Sequence, residues 1–114
     1  MNIPEFTYVS ISTTGAGGAK ELIAAATGKT PRLHGLYIGA AGACTIKLES
    51  GSSVGSTDLA AVAGAVPVAA NAHLRVPFVP QIEGAVPGTA AKNLQVSSTA
   101  SALTGWAFVS SSTY

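Results

Sequence analysis

Along this chain polar and apolar residues alternate one by one in short bursts, and clusters of Gly, Ser and Pro cut the bursts apart. A two-residue period puts successive side chains on opposite faces of an extended strand, so only a strand can bury such a pattern on one side. The first burst, from Glu5 to Ser12, sets Thr7, Val9 and Ile11 on one face and Phe6, Tyr8 and Ser10 on the other. Its β-branched and aromatic content suits a pleated surface. The segment Ala19 to Ala26 carries helix-favouring Ala, Lys, Glu and Leu. It is too short to hold as a helix between two glycine-bearing breaks, so it is expected to be a strand.

The clearest alternation lies in the middle of the chain. Thr30 to Ala40 places His34, Leu36, Ile38 and Ala40 in one phase, and Ala43 to Ser50 turns Cys44, Ile46 and Leu48 inward with Thr45, Lys47 and Glu49 outward. The short Ala41-Gly42 link predicts a hairpin between these two strands. The Ala and Val stretch from Leu59 to Ala70 is divided by Gly64 and Pro67, which suits an edge strand or a bulge. His73 to Val79 offers Leu74, Val76 and Phe78 to the interior, Pro80 to Gly88 reads as a loop, and Asn93 to Ser98 offers Leu94 and Val96. The closing burst from Gly105 to Tyr114 separates Trp106 and Phe108 from Ala107 and Val109. The expected core therefore includes Ile46, Leu48, Leu74, Val76, Phe78, Leu94 and Val96.

These bursts amount to about eight antiparallel strands with loops too short for crossover helices, which leaves a sandwich or a barrel. The expected fold class is all-β, a single antiparallel β-sandwich of jelly-roll type. At 114 residues the chain suits one domain, residues 1–114, with residues 1–4 as an extended arm.

Charge narrows the function. Only 10% of residues are charged and the formal net charge is +1, with Lys20, Lys29, Arg32, Lys47, Arg75 and Lys92 spread singly. That spread builds no basic stripe for a phosphate backbone, so nucleic acid is not an expected partner. A domain so near neutrality is poorly protected against self-association, and much of its surface is expected to meet partners. No apolar run reaches membrane-helix length, and the start at Met1 to Glu5 has no charged leader followed by an apolar stretch, so neither membrane insertion nor secretion is expected. The single cysteine, Cys44, excludes an internal disulfide and any zinc cluster built on cysteines.

Three motifs imitate chemistry. Gly51-Ser52-Ser53-Val54-Gly55 has the spacing of a nucleophile elbow, and Asp58 and His73 follow in hydrolase order. That elbow needs a strand-to-helix turn in a large α/β sheet, and here it falls in a Ser-rich loop of a β chain. Gly28-Lys29-Thr30 lacks the upstream glycine of a phosphate loop, since that position holds Ile23. Gly15 and Gly17 would need a third glycine where Lys20 stands to make a dinucleotide fingerprint. His34 and His73 have no carboxylate at ligand spacing and are expected to be structural. Tyr8, Tyr37, Trp106, Phe108 and Tyr114 would serve a sugar-stacking platform, but strand alternation favours core packing or a subunit interface. No catalytic residue, cofactor or metal is expected.

The run Thr30-Pro31-Arg32-Leu33-His34-Gly35-Leu36-Tyr37-Ile38-Gly39-Ala40-Ala41-Gly42-Ala43-Cys44-Thr45-Ile46-Lys47-Leu48-Glu49-Ser50-Gly51 resembles a recurrent stretch in small tailed-bacteriophage virion proteins. There a strand meets a short Ala and Gly turn, then a strand ending in a Ser-Gly loop. Pro67-Val68-Ala69-Ala70-Asn71, His73 to Pro80, Asn93-Leu94-Gln95-Val96-Ser97 and Gly105-Trp106-Ala107-Phe108-Val109 agree with the pattern, so the resemblance runs from Thr30 onward. It implies a jelly-roll capsid decoration (cement) protein. Such a protein sits as a homotrimer on the outer surface of the phage head, bound to the major capsid protein and made in the host cytoplasm. The alternative it implies is a tail or head-fibre component, a carbohydrate- or receptor-binding module.

Within that reading the arm is a contact. Pro4 biases Ile3 toward an extended conformation, and Met1 to Glu5 carries no turn or capping chemistry. Asn2, Ile3, Pro4 and Glu5 are therefore the expected capsid contact, ordered on a neighbour by strand addition.

Overall fold

The computed structural model describes residues 6–13, 18–80 and 86–113. Among the described residues ten strands follow one another: β1 (Thr7–Ser12), β2 (Ala19–Ile23), β3 (Lys29–Ala40), β4 (Cys44–Ser50), β5 (Ala60–Ala61), β6 (Val66–Val68), β7 (His73–Val76), β8 (Val86–Pro87), β9 (Leu94–Ser98) and β10 (Leu103–Thr113). No helix occurs among the described residues. One sheet runs β1-β10-β3-β7 with β8 also on β3, and the other runs β2-β9-β4-β5 with β6 also on β4. All pairings are antiparallel.

The pairings are nested: β1 with β10, β2 with β9, β3 with β7 and β8, β4 with β5 and β6. This is the order produced when one long hairpin rolls up so that successive arms fall in alternate sheets, which is the jelly roll. Ten strands fill eight positions, because β7 and β8 share one flank of β3 while β5 and β6 share one flank of β4.

The same nesting corrects the expected hairpin. β3 and β4 belong to different sheets, so the turn after Ala40 carries the chain across the sandwich instead of folding it back. The crossing is tied at its corner by Gly42 N–H to Ser101 Oγ (2.7 Å) and by Ala41 N–H to the Ala102 carbonyl (3.2 Å). Short turns fix a reversal of direction, and they do not say whether the returning strand lies beside its predecessor or opposite it.

Between the sheets lie Ile11, Leu22, Leu33, Leu36, Ile38, Ala40, Cys44, Ile46, Leu48, Leu94, Val96, Leu103, Ala107 and Val109, all buried. Leu33, Ile38, Leu94 and Leu103 are fully enclosed, and each such side chain contributes about 1.5–3 kcal/mol of burial. Ile46, Leu48, Leu94 and Val96 take their expected places, and Leu74 and Val76 pack partly buried against this core. Phe78 does not: it is 50% exposed. The strand ends at Val76, because Pro77 brings no N–H to the ladder, and the alternation cannot be counted through it.

A second break in phase falls at His34. β10 pairs Phe108 with Gly35 and then Val109 with Leu33, leaving His34 as the extra residue of a bulge. Leu36, Ile38 and Leu33 all reach the core on either side of it. The His34 side chain is fully buried, with Nε2 2.6 Å from Ser110 Oγ and Nδ1 2.9 Å from the Val79 carbonyl. A carbonyl only accepts, so Nδ1 carries the hydrogen of that bond.

Candidate functional site

Alternation along β10 buries Leu103, Ala107 and Val109 and turns Thr104, Trp106 and Phe108 to the outer face of their sheet. Neighbouring strands add rings to the same face. Tyr8 on β1 stands opposite Phe108 with ring centroids 5.7 Å apart, and Tyr37 on β3 stands opposite Trp106 at 5.8 Å and nearly parallel, 15° between planes. Phe78 lies edge-on to Phe108 at 5.4 Å, and Phe6 lies edge-on to Phe78 at 5.1 Å and to His34 at 4.7 Å. Trp106 meets Phe108 at 5.4 Å, and His73 on β7 stacks on Tyr37 at 5.2 Å. The outcome is one connected aromatic ribbon crossing the sheet from β1 to β7.

The ribbon has two ends of different character. At one end Phe6, Tyr8, Phe78 and Phe108 form an apolar group in which Tyr8 is 60% and Phe78 50% exposed. The chain after β7 keeps to the same flank of β3, where the Val79 N–H donates to the His34 carbonyl at 2.7 Å, and Phe78 lies over Gly35. A Cβ on Gly35 would come within 3.3 Å of the Phe78 Cα, so the bare backbone at 35 makes room for Phe78.

At the other end a hollow of about 570 Å³ opens among Tyr37, Gly39, Asn71, His73, Thr104 and Trp106, with Ala40, Ala41 and Ala72 also in its lining. Its wall is the row His73, Tyr37, Trp106. Gly39 keeps the floor low, since a Cβ there would meet the His73 ring at 3.2 Å.

The residues that imitate a hydrolase are not brought together. His73 stacks on Tyr37 at the edge of the first sheet, whereas Ser53 and Asp58 lie in the exposed loop between β4 and β5 of the second. Asp58 is instead the hub of that loop. Its carboxylate accepts from the Ser52 hydroxyl (2.6 Å), the Ser52 N–H (3.0 Å), the Ser56 hydroxyl (2.6 Å) and Lys92 Nζ (3.0 Å). Those donors, the Ser52 hydroxyl foremost, hold its carboxyl well below the usual carboxylate range. Beneath the loop, buried Asn93 accepts from the Gly51 N–H at 2.8 Å and donates to Glu21 at 2.9 Å and Gln95 at 3.2 Å.

Among the described residues no three His, Cys, Asp or Glu side chains gather as a metal site, and no helix is long and apolar enough to cross a membrane. Cys44 is a buried free thiol. The expected contact residues Asn2, Ile3, Pro4 and Glu5 lie outside the described residues. Phe6, which follows Glu5 in sequence, belongs to the aromatic face.

Sequence reasoning named Tyr8, Tyr37, Trp106 and Phe108, with Phe6 on the face of Tyr8, but missed Phe78 and His73 as their neighbours, and Tyr114, named with them, lies outside the described residues. The signal for Phe78 was its position between Pro77 and Pro80, which forbids a strand through it. The comparisons add no relative: no family model, no curated protein sequence and no solved structure matches the chain.

Proposed function

We propose that this protein is a structural component of a bacteriophage particle, a decoration protein that binds the outer surface of the head through the exposed Phe6, Tyr8, Phe78 and Phe108 end of its aromatic face. The observation that carries the reading is the cluster Phe6, Tyr8, Phe78 and Phe108, whose rings touch one another while two of them stay at least half exposed. Aromatic anchors of this kind dominate protein–protein contacts, because a large rigid side chain buries much apolar area at small entropic cost. The low charge, +1 over 114 residues, leaves little repulsion between copies held close together on a lattice. The resemblance of residues 30–51 and the later strands to phage virion proteins supplies the kind of partner, the major capsid protein, and a trimeric arrangement. The segment Asn2 to Glu5 leads into Phe6 and is proposed as part of the same contact.

Co-sedimentation with heads of the encoding phage, purified without this protein, tests the reading. The wild-type chain should pellet with the heads and saturate, and the double variant Tyr8→Ser, Phe78→Ser should stay in the supernatant while remaining folded. A wild-type chain that does not pellet, or a double variant that pellets equally well, contradicts it.

A further inference from the structure

We infer that the hollow beside Trp106 is a binding site for an uncharged sugar ring, separate from the rings proposed to dock on the particle. Its volume of about 570 Å³ falls within the range of about 300–1,000 Å³ typical of small-ligand sites. Three features set the chemistry of what it takes.

The wall is apolar and aromatic, built from His73, Tyr37 and Trp106 held side by side by stacking at 5.2 and 5.8 Å. Asn71, Thr104, Tyr37 and Trp106 bring uncharged polar groups to the lining, and among the described residues no Asp, Glu, Lys or Arg lines it, Arg75 standing outside it on the same face as the partner of Tyr37 across β3 and β7. Among the described residues, no hydrogen bond engages the Asn71 amide, the Thr104 hydroxyl, the Tyr37 hydroxyl or the Trp106 indole N–H. These donors and acceptors are therefore free to meet a ligand.

The third feature is the placement of Asn71. It sits at φ 61, in the left-handed region where Asn is among the few side chains tolerated. Its turn is fixed by backbone bonds alone, from the Asn71 N–H to the Ala40 carbonyl (2.9 Å), from the Ala40 N–H to the Ala72 carbonyl (3.1 Å) and from the Ala72 N–H to the Ala69 carbonyl (3.1 Å). The backbone thus holds the turn without drawing on the side-chain amide, which keeps a donor pair and an acceptor at the rim.

A ligand must match an apolar wall and an uncharged ring of donors and acceptors. A phosphorylated or carboxylated compound would find no Lys or Arg in the lining, with Arg75 beyond Tyr37 as the cation on this face that the glucuronate control tests, and a purely aliphatic one would strip water from the rim without replacing its hydrogen bonds. A neutral hexopyranose matches both, with a C–H face for the rings and hydroxyls for Asn71, Thr104 and the indole N–H. The site stands on different residues from the docking cluster, so either can fail alone.

Titration of the ¹⁵N-labelled full-length chain, followed by NMR, tests the assignment. The panel is the methyl glycosides of glucose, galactose, mannose and N-acetylglucosamine, with glucuronate and adenosine as controls. At least one neutral glycoside should shift the Trp106 indole and Asn71 side-chain signals saturably, with a Kd on the order of millimolar, as expected for so small a ligand. Asn71→Gly keeps the left-handed turn and removes the amide, and it should weaken binding roughly tenfold, as should Trp106→Ala. The Tyr8→Ser, Phe78→Ser variant should bind the sugar as the wild type does. No shift from any neutral glycoside, shifts produced by adenosine or glucuronate alone, or binding unchanged in Asn71→Gly would overturn the inference.

Discussion

Phe78 lies across Gly35, with its Cα 3.3 Å and its ring 3.5 Å from where a Cβ at position 35 would stand. The large side chain thereby stands outside the sandwich, on the outer face against Phe6 and Phe108. Because that ring is 50% exposed, Phe78→Ala should lower stability by less than about 1.5 kcal/mol, below the figure for a core phenylalanine. Ile38, by contrast, is fully buried, and Ile38→Ala should cost about 2–5 kcal/mol. Urea titrations of both variants check the ranking, and an equal loss in the two would show that Phe78 is part of the core.

The sequence made the sandwich legible wherever one phase of a strand was apolar and the other polar, as in β4, where Cys44, Ile46 and Leu48 are buried and Lys47 is exposed. It was less informative where both phases are apolar. In β10 the small Ala107 and Val109 fill the thin interior and the large Trp106 and Phe108 are left outside, a choice made by the space between sheets and not by hydrophobicity. The face itself depends on register between β1, β10, β3 and β7, which are distant in sequence, and alternation within one strand carries no information about that. The hairpin expected at Ala41-Gly42 failed for a related reason, since local turn chemistry does not select the partner strand.

Asn93 gives a second test of what holds the loops. Its side chain accepts from the Gly51 N–H and donates to Glu21 and Gln95, tying the β4–β5 loop to β9 and β2. Asn93→Ala leaves that buried N–H without its partner and should cost about 1–3 kcal/mol. Hydrogen exchange at Gly51 should accelerate in the variant, and unchanged exchange would assign the loop's order to other contacts.

The Asp58 carboxyl is held well below its ordinary range by the hydroxyl and N–H of Ser52, the hydroxyl of Ser56 and Lys92. A group whose folded-state value is depressed contributes stability above its unfolded value, near 3.9, and loses it only as pH falls through the folded value. NMR titration of the Asp58 carboxyl should therefore show no midpoint between about pH 5 and 3. A midpoint near 3.9 would mean that the serine ring does not persist in solution. In the same loop Ser53 has no histidine beside it, so a fluorophosphonate probe should leave it unlabelled, and Ser53→Ala should fold and bind as the wild type does.

Gly64 offers a gain in stability. It stands beside an apolar cavity of about 90 Å³ between the sheets, lined also by Leu33, Leu48, Val76 and Val96, and a Cβ placed there meets no atom within 4 Å. Its φ lies outside the left-handed region. Gly64→Ala should stabilise the fold by about 0.4–1 kcal/mol through the unfolded chain's lost freedom, read as a raised urea midpoint. A lowered midpoint would show that the segment between β5 and β6 needs the bare backbone.

The Phe6, Tyr8, Phe78 and Phe108 end of the β1-β10-β3-β7 sheet is the surface proposed to face a phage head. An electron cryo-microscopy reconstruction, at side-chain resolution, of the phage particle proposed to carry this protein measures this most directly. The account predicts density for this sandwich on the outside of the head, with Tyr8 and Phe78 buried against the shell or a neighbouring copy. A reconstruction that places the chain on the tail, or on the head with these rings turned to solvent, would contradict it.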